Sequence, residues 1–144
     1  MAVTYTKTGF SKIIDKLRQT INDEFRNVYI SDTFVEKAGG ESWKLSLIDS
    51  SEILTHKNFE VREYSVSLRY YMEHKDSERR TEHVMNSVDR MKKHLLDNLV
   101  SSGNWDELIV DEIAYNVQDD DNEERPELSI TDLSITMTST IAYS

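Results

Sequence analysis

At 144 residues and 16.8 kDa the chain has the size of one domain, and 38% hydrophobic with 31% charged residues is enough apolar material to fold without metal or disulfide support. The lack of cysteine excludes disulfides, thiolate nucleophiles and zinc-thiolate sites, while apolar runs as short as Leu108–Val110 exclude a bilayer-crossing helix. The formal charge of -10 lies wholly in the last forty-four residues, where Arg125 alone faces eleven acids, and this argues against a surface that grips nucleic acid phosphates.

Met1 to Phe10 is polar and lacks the apolar stretch of a secretory signal, so the chain is expected to stay where it is made. Phe10, Ile13, Ile14, Leu17, Ile21 and Phe25 recur at helical spacing and predict a first amphipathic helix over Phe10–Arg26, with Thr8 as a cap. Asn27–Phe34 is a short edge-strand candidate. Gly39 and Gly40 mark a turn, and Ser42–Ile48 alternates Trp43, Leu45 and Leu47 with polar residues as a half-buried strand does.

Phe59–Met72 predicts a long second strand of this hairpin. Its apolar phase slips near Arg62 and Glu63, between Phe59 and Val61 on one phase and Tyr64, Val66, Leu68 and Tyr70 on the other, which predicts a bulge there. Asp76 and Ser77 open a second helix, Ser77–Leu99, with a seam of Val84, Val88, Met91, Leu95 and Leu99 widened by Met85 and Leu96. Glu107–Val117 and Glu127–Tyr143 have strand composition, and the polar run Gln118–Pro126 between them reads as an exposed hairpin loop. The order predicts a single α+β domain over residues 1–144: an antiparallel or mixed sheet of about four to five strands with two amphipathic helices on one face.

The residues that could carry chemistry form no working set. His83 and His94 lie eleven positions apart on one helix, about 16 Å, too far to share a metal, and His56 and His74 have no ligand spacing. Asp119, Asp121 and Glu123 alternate as in a calcium loop, yet Glu124 and Ile130 stand where glycine and a bidentate glutamate are needed. Glu73 and Lys75, with Asp49 upstream, match the Glu-x-Lys of metal-dependent nucleases, but the chain lacks the basic surface such an enzyme needs. The expectation is therefore no enzyme: no catalytic residue, no metal and no cofactor.

Excess strand and clustered aromatics point instead to assembly. Tyr64, Tyr70, Tyr71, Tyr115 and Tyr143 are candidate subunit-interface residues, with cross-strand packing in the core as the alternative. The order of elements, from the helix Phe10–Arg26 through the hairpin Trp43–Met72 and the helix Ser77–Leu99 to the last two strands around Asp119–Glu124, resembles the tail terminator (tail completion) proteins of tailed bacteriophages. This resemblance lies in architecture, since the family has no diagnostic motif. It implies a virion protein, assembled in the host cytoplasm, that closes the tail tube as a sixfold ring at the head-to-tail joint. Its partners would be copies of itself, the tail tube and a neck protein, with DNA passing through without specific binding and no membrane contact.

About six copies would concentrate a formal charge of roughly -60 in such a ring. Asp119, Asp120, Asp121, Glu123 and Glu124 are then candidates to line or rim the lumen, where carboxylates repel passing phosphate. The alternatives are another neck, connector or tail-tube subunit, or a small regulatory or ligand-binding α+β domain.

Overall fold

A computed structural model describes residues 9–30, 41–118 and 122–142. It is an α+β fold with a five-stranded mixed sheet and two helical segments. The strands are β1 (Val28–Ile30), β2 (Glu41–Thr55), β3 (Phe59–Glu73), β4 (Glu107–Ala114) and β5 (Leu128–Ala142), in the order β1-β2-β3-β5-β4. β1 runs parallel to β2, and every other pair is antiparallel. β3 and β5 pair along their whole length, from Phe59 opposite Ala142 to Glu73 opposite Leu128, which makes the sheet about 50 Å long.

Strict alternation along β3 explains which face is covered. Tyr64, Val66, Leu68 and Tyr70 point to one side, where they pack with Leu133, Ile135 and Met137 of β5 and with both helices. The second helix, α2 (Ser77–Leu96), presents Val84, Val88, Met91 and Leu95 to this core. Its start is fixed by Asp76, whose carboxylate accepts from the amides of Glu78 at 3.0 Å and Arg79 at 3.3 Å. Phe25 packs edge-on against Trp43 at 5.5 Å, and Trp43 lies 4.4 Å from Tyr70. A smaller cluster of Tyr71, Leu128 and Ile130, with Val117 against it, closes the other face at one end.

Several local expectations are corrected. The first helix begins as a π-helical segment, Gly9–Asp15, and continues as α1 (Lys16–Asn22). The wider π winding breaks the 3.6-residue period, so Phe10 leaves the seam and is 59% exposed while Ile13 and Ile14 stay buried. The helical run ends four residues before Arg26, because Phe25 turns into the core and Asn27 adopts a positive φ of 58°.

A bulge does fall at Arg62, but its extra residue is Ile53 of β2 and not a residue of Phe59–Met72. The register with β5 is continuous through Arg62 and Glu63, and the shifts fall across the hairpin in β2, leaving Ile48 and Ile53 without an opposite residue. The apolar phase slip in β3 has another cause. Glu60 takes the helix-facing position and is buried beside Arg62, its hydrogen-bonded ion-pair partner, while Phe59 and Val61 lie on the other face. α2 stops at Leu96, so Leu99 falls in the following turn, and Met85 and Leu96 are half exposed instead of widening the seam. β4 ends at Ala114, ahead of a left-handed Asn116. Thr8, Gly39 and Gly40 lie outside the described residues, as does the end of the edge-strand candidate beyond Ile30.

Candidate assembly surfaces

Two exposed apolar surfaces stand at opposite edges of the sheet. The first is the distal half of β2. This strand is 15 residues long, but β1 pairs only with Trp43–Leu45, so from Ser46 onward no strand among the described residues covers its outer edge. Leu47 to Thr55 is continuously exposed and includes Leu47 (51%), Ile48 (62%), Ile53 (55%) and Leu54 (51%). The two register shifts that free Ile48 and Ile53 sit beside Leu47 and Leu54, so the apolar residues come as adjacent doublets instead of alternating across the sheet. At the hairpin tip His56 stacks on Phe59 at 4.9 Å, and Lys57 projects into solvent.

The second surface is a groove of about 430 Å³ between the end of α2 and β4. Leu96, Leu99, Val100 and Ile109 line it, each 42% exposed or more, with Lys92 on one rim and Asp106 and Glu107 on the other. Its floor is rigid. Trp105 is buried and donates from Nε1 to the Asn98 carbonyl at 3.1 Å, while Ser139 Oγ of β5 donates to the Asn104 carbonyl at 2.6 Å. Residues 97–106 are thereby held over the end of β5.

The candidate aromatics separate by burial. Tyr64, Tyr70 and Tyr71 are 7%, 0% and 1% exposed within the single subunit, so they belong to its own core and cannot form a free surface. The Tyr70 hydroxyl donates to Glu41 at 2.5 Å and sits 3.2 Å from Ser87 Oγ. Burial first, and then the hydrogen bond to Glu41, push this phenol above its usual pKa; burial does the same to Tyr64. Tyr115 is 42% exposed, and Tyr143 lies outside the described residues.

Of the acidic loop, Glu123 and Glu124 are described and exposed, whereas Asp119, Asp120 and Asp121 are not among the described residues. The loop is anchored at two points. Asn122 is buried and donates from Nδ2 to the Val117 carbonyl at 2.8 Å, and Arg125 pairs with Glu73 at the end of β3. The loop thus sits at the opposite end of the strands from the hairpin tip.

The remaining polar groups are dispersed. Asp49 lies opposite Ser65, eight residues along β3 from Glu73, which separates the two carboxylates of the nuclease pattern by about 26 Å. His94 joins the two helical segments. Its Nε2 lies 2.6 Å from the Thr20 carbonyl and ties α2 to α1. His83 stands 5.7 Å from His74, ring to ring, and among the described residues no group of three or more acids and histidines could hold a metal ion.

A cavity of about 360 Å³ beside the start of α2 is lined by Arg80, Thr81, Met85, Tyr115 and Asn116 among others. Its Arg80 donates to the His74 carbonyl at 2.7 Å and Thr81 to the Ser77 carbonyl at 2.9 Å, so these groups serve the fold. No helix among the described residues is long and apolar enough to cross a membrane.

Sequence reasoning missed both apolar surfaces. The doublets Leu47-Ile48 and Ile53-Leu54 were the available signal, because paired apolar neighbours break period two where a bulge occurs. No protein-family model and no curated protein matches the chain.

Proposed function

We propose that this chain is a structural ring subunit of the tail terminator kind, which caps the tail tube at the head-to-tail joint of a bacteriophage, joins it to a neck protein and lets DNA pass through. The single observation that carries the reading is the pair of unlike apolar surfaces at opposite edges of one sheet. A lone soluble subunit gains nothing from nine consecutive exposed strand positions bearing four large apolar side chains, and an open edge of this kind favours unwanted pairing. A neighbouring copy removes that liability. Two different surfaces, one at each edge, suit head-to-tail contacts, and those generate rings when the rotation closes.

The charge supports the same role. About six copies would place their acidic loops in one circle, and a wall without clustered cations gives DNA no counterion-release affinity that would hold it in place. In this reading Glu123 and Glu124, together with Asp119, Asp120 and Asp121, rim the channel, and the protein acts by shape and charge without catalysis.

Native mass spectrometry with negative-stain electron microscopy tests the proposal, the expected result being closed rings of about six copies. A species that stays monomeric at about millimolar concentration, or one that stacks into long tubes, overturns it. Antibody labelling of virions tests the placement: label is expected at the joint between head and tail, and label along the tail shaft would overturn that assignment.

A further inference from the structure

We infer that the distal β2–β3 hairpin of one copy seats in the α2–β4 groove of the next, with the Ile53–Leu54 end of its open β2 edge against the apolar trough of Leu96, Leu99, Val100 and Ile109. The inference deepens the ring reading by naming the contact, and it stands or falls on its own measurement.

The strand register supplies the geometry. Leu47 pairs with Val66, which pairs with Ile135, and Leu54 pairs with Val61, which pairs with Thr140. The hairpin surface therefore spans the level of β5 residues 135–140. Across the sheet, Ile109 lies opposite Thr136 and Glu107 opposite Thr138. Both surfaces thus occupy the same height along the strands, at opposite edges. A neighbour placed by rotation about an axis parallel to the strands meets hairpin with groove without any shift along that axis, which is the condition for closing a ring instead of winding a helix.

Charge follows the same order. Lys57 lies at the tip end of the hairpin surface and Asp49 at its base end, level with Thr136 through Ser65. In the groove, Asp106 and Glu107 lie toward the tip end, where Asp106 accepts from Thr140 Oγ1 at 2.7 Å. Lys92 lies one turn before Leu96 on α2, which runs from the loop end toward the tip, and so faces the base end. A rotated copy keeps its axial direction, so Lys57 meets Asp106 and Glu107 while Asp49 meets Lys92.

Because the chain has no cysteine, engineered pairs report the contact without background. Ile53→Cys and Val100→Cys combined in one chain sit on opposite edges, with β3 and β5 between their strands, too far apart to bridge within a subunit. Mild oxidation of this double variant is expected to give a ladder of linked subunits, where each single variant gives at most dimers. A double variant that links no further than the singles overturns the contact, even if closed rings are seen by microscopy.

A ladder that grows open-ended supports the contact and overturns the ring. As an independent measurement, Ile53→Asp blocks the hairpin and Leu99→Asp blocks the groove. Each alone is expected to raise the concentration for half-assembly at least about tenfold. Mixed, they are expected to give a one-to-one dimer that cannot extend, and a mixture that stays monomeric overturns the inference. Circular dichroism establishes that each variant is folded, and the cysteine pair tests the contact without a charged substitution.

Discussion

Tyr70 shows how one residue links the helices to the sheet. Its ring is fully buried against Trp43, and its hydroxyl reaches the Glu41 carboxylate with Ser87 of α2 alongside. Tyr70→Phe removes the donor but keeps the ring, and is expected to cost about 1–2 kcal/mol, read as a lower urea midpoint at unchanged slope. The same hydroxyl sets an alkaline limit. Its folded pKa is raised, so the fold holds this proton more tightly than the unfolded chain does. The contribution is complete below about pH 10, where the unfolded tyrosine titrates, and declines as pH rises above it by up to about 1.4 kcal/mol per pH unit. Denaturation between pH 9 and 11.5 should therefore show a shallower loss for Tyr70→Phe than for the natural chain, and equal slopes would contradict the assignment. In the sequence Tyr70 could be read equally as interface or core. Periodicity places a residue on a face of a strand but does not say whether a helix of the same chain or a neighbouring subunit covers it.

At the scale of elements, legibility followed the regularity of the period. α2 begins where Asp76 and Ser77 indicated, because the cap is a local hydrogen-bond pattern that needs no tertiary information. Asp76→Ala should cost about 1 kcal/mol, measured as a drop in thermal midpoint, and Asp76→Asn should recover most of it. β2 was harder to read beyond Ile48. Asp49, Ser50, Ser51 and Glu52 are poor strand formers, and the two register shifts interrupt alternation, so among the described residues pairing with β3 alone holds this half extended. The π-helical start of the first helix was likewise hidden, since Phe10 fits an α-helical stripe in sequence but not in three dimensions. The surfaces assigned here to assembly lie largely where regular patterning fails, at β2 and at the end of α2.

For the whole molecule, charge would oppose the proposed assembly while apolar surface would favour it. Every copy carries -10, so subunits repel over distances that salt screens, and the apolar contact is insensitive to screening. Raising sodium chloride from 50 to 500 mM should therefore promote oligomer formation in sedimentation velocity; dissociation over this range would mean that the ion pairs outweigh the apolar surfaces. The placement of the acidic loop and the hairpin tip at opposite ends of the strands has one more consequence. If all copies in a ring point the same way, the disc has a front and a back of different chemistry. Whatever docks on one side finds no equivalent platform on the other, so the two neighbours of such a disc are expected to be chemically different.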